Sequence, residues 1–221
     1  MTARPDMPGV YGLVARPAGY EIMWSDACGT ITSPLFDWNS NLRPLTRYVY
    51  SLYMPPSNHV TCDPSIEAID GDDPAAPPHW TIRACGKVYP NCQLLFFGSS
   101  WGRRTFVWVL NINGETTIIK DTTRDDRDRF CEGPLLAEIH GPGHMPGVVR
   151  LIDWCFVRTE QGVITTAPRC ESDTPTRRRI RLVLGSFGTK LGESKSVLDL
   201  LKAVYDVIEG GYCSSMLWPT S

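Results

Sequence analysis

The sequence carries almost no excess charge and contains no long apolar run. Its 22 basic and 24 acidic residues leave a net charge of −2, too small to attract nucleic acid or an anionic membrane from a distance. It has no run of about 18 apolar residues, as a membrane-spanning helix needs, and no apolar secretory core near its N-terminus. The composition therefore predicts an intracellular protein, in the cytoplasm or nucleus, without nucleic-acid or membrane partners.

Cysteine pairs with the spacing of metal ligands are also lacking. The eight cysteines are scattered and form no Cys-x-x-Cys pair, whereas a disulfide scaffold is denser and a zinc site is regularly spaced. The nearest approach to a zinc pattern is His59 and Cys62 with Cys85 and Cys92 downstream, which is irregular. Most of the cysteines are therefore expected to be free thiols.

Strand-like and helical segments are both present in the N-terminal half. Residues 25–29 (SDACG) form a turn cluster between two β-rich runs, which predicts a hairpin. Residues 41–54 have apolar side chains at helical spacing, with Asn41 as a possible N-cap. Residues 55–79 contain several prolines and an acidic cluster, which predicts a long exposed loop with at most a short turn at 65–70.

The C-terminal half contains the most specific local signal. Asn113 and Gly114 separate two β-rich runs, and Asn-Gly is the preferred pair for a two-residue type I′ hairpin. A short helical piece at 134–140, strands within 147–157 and 179–187, and a helix from Ser196 follow. The helix is predicted to place Val197, Leu200, Leu201, Val204 and Ile208 on one face. This order predicts an α+β fold built on an antiparallel sheet.

A basic run precedes the last predicted strand. Residues 176–181 (TRRRIR) contain four arginines, which would suit a basic patch. In a nearly neutral chain, at the entrance of a strand, solvated arginines are the expected reading.

Lys120 ends the β-branched run that follows the Asn-Gly turn. Because strand residues alternate faces, Lys120 shares one side with Ile118. Its ammonium would suit a phosphate, and Glu132 or Glu138 on the next segment would supply a carboxylate to hold it. The ordinary alternative is a solvated lysine at the end of a strand.

The order of segments around Lys120 follows the plan of a protein-kinase small lobe. A glycine-bearing turn at 98–105, the hairpin ending in Lys120, a segment with Glu132 and two further strands succeed one another. The chain resembles the fungal-type protein kinase family over most of residues 20–210. The segments that carry the resemblance are GRRTFVW, IIKDTTRDDRDRFCEGPLL, GVVRLID, RIRLVLGSFGTKL and LLKAVYDVIEG.

The resemblance implies a division of the chain into five parts. They are a disordered tail (1–19), an α/β extension typical of the family (20–97), a kinase-like small lobe (98–184), a hinge with the first large-lobe helix (185–210) and an irregular tail (211–221).

The resemblance also implies roles for individual residues in binding ATP. Lys120 would bind the α and β phosphates, and Glu132 would be its ion-pair partner. Gly102 would open the nucleotide-covering loop, whose pattern also retains Val109. Ile118 would lie against the adenine and Leu184 behind it, with Gly185, Ser186 and Phe187 as the hinge. Leu184 as plain core and Gly185 as a turn residue are the alternatives.

The sequence departs from the family pattern at several positions. Arg104 and Val107 stand where glycines are expected, and Ile118 stands where a small alanine is usual. Pro134 allows a helix to begin near Glu132 but hardly to run through it, so Glu138 is the other possible partner of Lys120.

The chain contains neither a His-Arg-Asp nor an Asp-Phe-Gly motif, so the magnesium site is incomplete and no metal ligand is predicted. The family's activity is ATP-dependent phosphoryl transfer to protein serine or threonine. We expect a truncated kinase-domain protein that is inactive alone, so whether it is an enzyme stays open. The alternative is a pseudokinase-like interaction module that binds no nucleotide. A protein partner or a second copy would then cover the exposed helix 196–209.

Overall fold

The computed structural model describes residues 4–54, 62–69, 77–99, 103–141, 143, 145, 147–166, 176–185, 195–198, 201–202 and 204–205. In these ranges the protein is α+β and its paired strands are antiparallel, as the sequence predicts. Of the described helices, none is both long and apolar enough to cross a membrane.

The N-terminal part forms a separate three-stranded sheet and a helix. Its elements are β1 (Gly9–Arg16), β2 (Gly19–Asp26), β3 (Gly29–Thr32) and α1 (Leu42–Tyr53). The hairpin at 25–29 and the helix are confirmed. The prediction of a disordered tail over 1–19 is wrong for 9–16, because β1 pairs with β2 along its whole length and its backbone groups on that side are hydrogen-bonded.

A seven-stranded sheet forms the rest of the described fold. Its strands, in spatial order, are β4 (Ile66–Ile69), β5 (His79–Ala84), β6 (Lys87–Phe97), β7 (Phe106–Ile112), β8 (Glu115–Asp125), β12 (Arg177–Leu184) and β9 (Leu151–Phe156). Helix α2 (Glu132–Ile139) lies between β8 and β9 in sequence, and β10 (Arg158–Thr159) pairs with β11 (Gly162–Val163).

The sheet corrects two sequence predictions. Strand β4 forms inside the segment expected to be a loop, because it finds β5 as a hydrogen-bonding partner. Strand β6, from the predicted extension, pairs with β7 of the predicted lobe. The predicted boundary between 97 and 98 therefore lies within one continuous sheet.

Two tight turns set the register of this sheet. Asn113 and Gly114 have φ values of 53° and 86°, so the predicted hairpin between β7 and β8 is confirmed. Cys85 and Gly86, with φ values of 51° and 78°, connect β5 to β6 in the same way. Both turns place consecutive residues in the left-handed region that a type I′ turn requires.

Each face of the sheet has its own apolar core. Trp108, Ile119 and Val183 lie in the core of one face, together with residues from β4, β5 and β6. Ile118 and Leu182 lie in the core of the other face, which α2 covers. Strand β5 contacts β12 although three strands separate them in the sheet order, so the sheet curls around the first core.

The basic run on β12 is partly buried, contrary to the prediction of solvated arginines. Arg179 is 7% exposed and Arg181 is 1% exposed, on the concave face of the curled sheet. They meet the buried carboxylates of Asp63 and Asp121, which neutralise them. Arg178 points the other way and pairs with Asp126 at the surface.

The predicted helix 196–209 is only partly within the described residues. Residues 197–198, 201–202 and 204–205 are helical. The apolar side chains among them, Val197, Leu198, Leu201, Val204 and Tyr205, are 41–74% exposed. Residues 186–194, 199–200, 203 and 206–210, and the predicted irregular tail 211–221, lie outside the described residues.

Candidate functional site

Lys120 lies near the middle of β8, on the face that α2 covers. Its Nζ atom donates to both carboxylate oxygens of Glu132, each at 2.7 Å. The two side chains are 26% and 35% exposed, so the pair borders solvent and is accessible to a ligand. The structure thus brings together the two residues predicted as an ion pair, and the solvated-lysine alternative does not hold.

The position of Glu132 is fixed by the start of α2. Glu132 is the first residue of the helix, with Pro134 in the first turn, where a missing backbone N–H costs nothing. Its carboxylate also lies at the positive end of the helix dipole. Glu138 is exposed at the far end of α2, and the ion pair of Lys120 is made with Glu132.

Close packing fixes the helix against the sheet. A Cβ atom on Gly133 would lie 2.6 Å from the indole ring of Trp154 on β9. Only a glycine allows this approach, and Gly133 itself is buried. The spacing between α2 and β9 thereby sets how far Glu132 reaches toward β8.

An apolar surface surrounds Lys120. Val107 and Leu182 are its cross-strand neighbours on β7 and β12. Ile118, two residues away on the same face, has Val109 and Leu184 as its neighbours. Val109, Ile118 and Leu184, which were predicted to contact the nucleotide, are therefore brought together beside Lys120.

Ile118 and Leu184 are already packed. They are 5% and 6% exposed and belong to one core cluster. Sequence analysis missed Val107 and Leu182 as neighbours of Lys120, because the pairing partners of a strand are not visible in its own sequence. The alternation of faces would have identified both once the register was known.

In the turn before β7, Arg104 has a backbone conformation that glycine usually adopts. Arg104, where the family pattern has glycine, has a φ of 41°, in the region that side chains other than glycine seldom occupy. Its guanidinium donates to the carbonyl of Pro8 at 2.8 Å. It also lines a cavity with Phe106 and Arg179, whose side chains lie on the face opposite Lys120. The Arg104 side chain thus leaves the Lys120 face open.

Three predicted site residues, Gly102, Ser186 and Phe187, lie outside the described residues. Gly185 is described, and its backbone N–H donates to the carbonyl of Arg150 at 2.9 Å. Gly185 therefore connects the end of β12 to the residue before β9. Its role as a hinge residue that hydrogen-bonds a nucleotide base stays a prediction.

A cavity of about 220 Å³ lies next to Glu132. Its walls include Thr122 and Leu182, which are neighbours of Lys120, and the guanidinium-bearing Arg103 and Arg124. The volume is below the ~300–1,000 Å³ usual for pockets that enclose a drug-sized ligand. Asp128 and Glu132 also line it and balance the two arginines, so the cavity is charged without being basic overall, and it is too small for a whole nucleotide.

Among the described residues, no group of three or more His, Cys, Asp or Glu side chains could hold a metal ion. His59 of the irregular zinc pattern is outside them. No protein-family model, no curated protein and no solved structure matches the chain.

Proposed function

We propose that residues 98–184 act as a kinase-like small lobe, related to the fungal-type protein kinases, in which Lys120 binds the phosphates of ATP. The observation that carries the proposal is the bidentate Lys120–Glu132 ion pair between a central strand and the helix that follows it. A lysine held in this way presents a compact positive charge at a fixed position, which suits a phosphate.

The strand arrangement supports the same function. Strand β12 inserts between β8 and β9, so Leu184 becomes a direct neighbour of Ile118, two residues from Lys120. An adenine base packed near Ile118 would therefore have its phosphates within reach of Lys120. ATP supplies the transferable phosphoryl group, and the residues assigned here bind and orient it.

The 221 residues contain no His-Arg-Asp or Asp-Phe-Gly motif, and transfer requires a catalytic aspartate and a magnesium ligand of that kind. We therefore propose binding of nucleotide without phosphoryl transfer by this chain alone. No residue is assigned to magnesium.

Thermal unfolding with and without Mg-ATP tests the proposal. A ligand at 100 times its dissociation constant adds about 2.7 kcal/mol to the free energy of unfolding, so the midpoint should rise. Lys120→Ala should lose this rise, whereas Lys87→Ala, at an exposed position of β6, should keep it. Adenosine, which has no phosphates, should give a smaller rise. An ATP-dependent rise of equal size in both variants would contradict the proposal.

A second candidate function is an interaction module that binds no nucleotide. The burial of Ile118, at 5% exposed, favours it, because isoleucine fills space that a small alanine would leave to the adenine. The exposed apolar side chains of Val197, Leu198, Leu201, Val204 and Tyr205 would then bind a second copy of the chain.

Light scattering during gel filtration distinguishes this second function. It predicts a dimer that Leu201→Asp dissociates and that Lys202→Asp, in the same turn, leaves intact. A monomer at every concentration would exclude it. Ile118→Ala provides a further comparison, since it should strengthen ATP binding if Ile118 limits the adenine site.

A further inference from the structure

Cys85 occupies an unusual position for a cysteine. With Gly86 it forms the two-residue turn between β5 and β6, at a φ of 51°. Asparagine is the preferred first residue of such a turn, and the same chain uses Asn113 with Gly114 for its other turn of this type. The turn geometry therefore gives no reason for a cysteine here.

The curl of the sheet brings this turn against the opposite edge strand. The thiol of Cys85 is hydrogen-bonded to the thiol of Cys155 on β9. A second contact supports the same proximity: Arg181, the cross-strand partner of Cys155, donates to the carbonyl of Arg83 at 2.7 Å. Both thiols are half-buried and free. Two cysteines distant in sequence are thus held in contact by the tertiary fold.

The surroundings activate one of the two thiols. The hydrogen bond from Cys85, assisted by the positive charge of Arg181, lowers the pKa of Cys155 to about 7, although burial and Asp121 act in the opposite direction. The same hydrogen bond, with burial, raises the pKa of Cys85. A thiolate is the reactive form of cysteine toward oxidants, and the positive charge of Arg181, the cross-strand partner of Cys155, favours a thiolate at Cys155.

We propose that Cys85 and Cys155 form a reversible disulfide in response to a peroxide oxidant. The Cys155 thiolate attacks one peroxide oxygen, and protonation of the departing oxygen yields water and a sulfenic acid on Cys155. The sulfur of Cys85 then attacks the Cys155 sulfur, loses its proton and displaces a second water. Hydrogen peroxide is thereby reduced to two waters while the thiol pair loses two hydrogens. A small dithiol or glutathione reverses the reaction by thiol–disulfide exchange.

The bond would join the β5–β6 turn to β9 and close the curled sheet covalently. Strand β9 also carries Trp154, which packs on Gly133 at the start of α2. Because the disulfide would restrict the unfolded chain, oxidation is expected to raise the midpoint of thermal unfolding. This inference does not depend on nucleotide binding, since neither thiol takes part in it.

Peptide mass spectrometry of the full chain tests the proposal. The reduced protein is treated with hydrogen peroxide, free thiols are alkylated, and the protein is digested without reductant. We expect a linked peptide pair containing Cys85 and Cys155, which dithiothreitol separates, with a raised thermal midpoint before reduction. Cys92 is fully buried, and burial raises its pKa to about 12, so it should remain a thiol.

Two variants make the result specific. Cys85→Asn keeps a residue suited to the turn and should abolish the linked pair. Cys131→Ser removes a half-buried thiol elsewhere and should leave the linked pair intact. Linked pairs spread over the other cysteines, or recovery of Cys85 and Cys155 as alkylated thiols after peroxide treatment of the wild type, would overturn the proposal.

Discussion

Replacing Arg181 by methionine should destabilise the protein more than any surface substitution. The guanidinium is 1% exposed and uses all five of its N–H groups. Two donate to Asp121 at 2.6 and 2.7 Å, one to Asp63 at 3.0 Å, one to Ser65 at 2.6 Å and one to the carbonyl of Arg83 at 2.7 Å. These partners come from three separate parts of the chain, so Arg181 links β12 to β8, β5 and the segment before β4.

The magnitude follows from the charges that would remain. In the wild type two buried arginines face two buried aspartates. Arg181→Met leaves Asp63 and Asp121, at most 1% exposed, opposite Arg179 alone. Breaking a buried ion pair by removing one partner costs about 3–5 kcal/mol. Since a domain is stable by only about 5–15 kcal/mol, much of the total would be lost.

Urea unfolding followed by circular dichroism measures this loss. With a slope of about 1–3 kcal/mol per molar urea, the midpoint should fall by at least about 1 M. Arg178→Met is the matched control, because Arg178 lies on the same strand but pairs with Asp126 at the surface, where an ion pair contributes under about 1 kcal/mol. Equal losses in the two variants would refute the reasoning that burial makes the difference.

Two further predictions concern the same sheet. Burial alone would raise the pKa of Asp121, but Arg181 and Arg179 outweigh it and hold this pKa below its usual value. Stability from Asp121 should therefore be complete above pH ~4, the ordinary aspartate pKa, and be lost as the pH falls further, which urea midpoints measured down to pH ~2 would detect; a flat profile would contradict it. Gly133→Ala should cost about 1–3 kcal/mol by overpacking, since its Cβ would lie 2.6 Å from Trp154. Ala137→Ser, on the exposed side of α2, is its control in the same unfolding measurement, and equal losses would show that the contact can relax.

Local patterns in the sequence determined most of the secondary structure. The Asn113–Gly114 turn and the strands around it follow from backbone preferences of neighbouring residues, which do not depend on distant contacts. Helix α2 begins at Glu132, two residues before the predicted start at Pro134. The alternation of strand faces placed Lys120 and Ile118 on one face. The sequence left Glu132 and Glu138 as possible partners of Lys120, the kinase resemblance implied Glu132, and the structure pairs Lys120 with Glu132. The turn and the alternation of faces could be predicted because each arises within a short segment, whereas the choice between the two carboxylates needed the tertiary contact.

Only the tertiary structure decided which segments meet. The pairing of β1 with β2, the pairing of β4 with β5, and the insertion of β12 between β8 and β9 depend on partners that a strand's own sequence does not name. The burial of Arg181 and the contact of Cys85 with Cys155 follow from the curl of the seven-stranded sheet. From the sequence alone, an arginine in a run of four is expected to be solvated. The free energy of burying its charge depends on which groups lie near it in space, and only the folded sheet brings two buried carboxylates to Arg181.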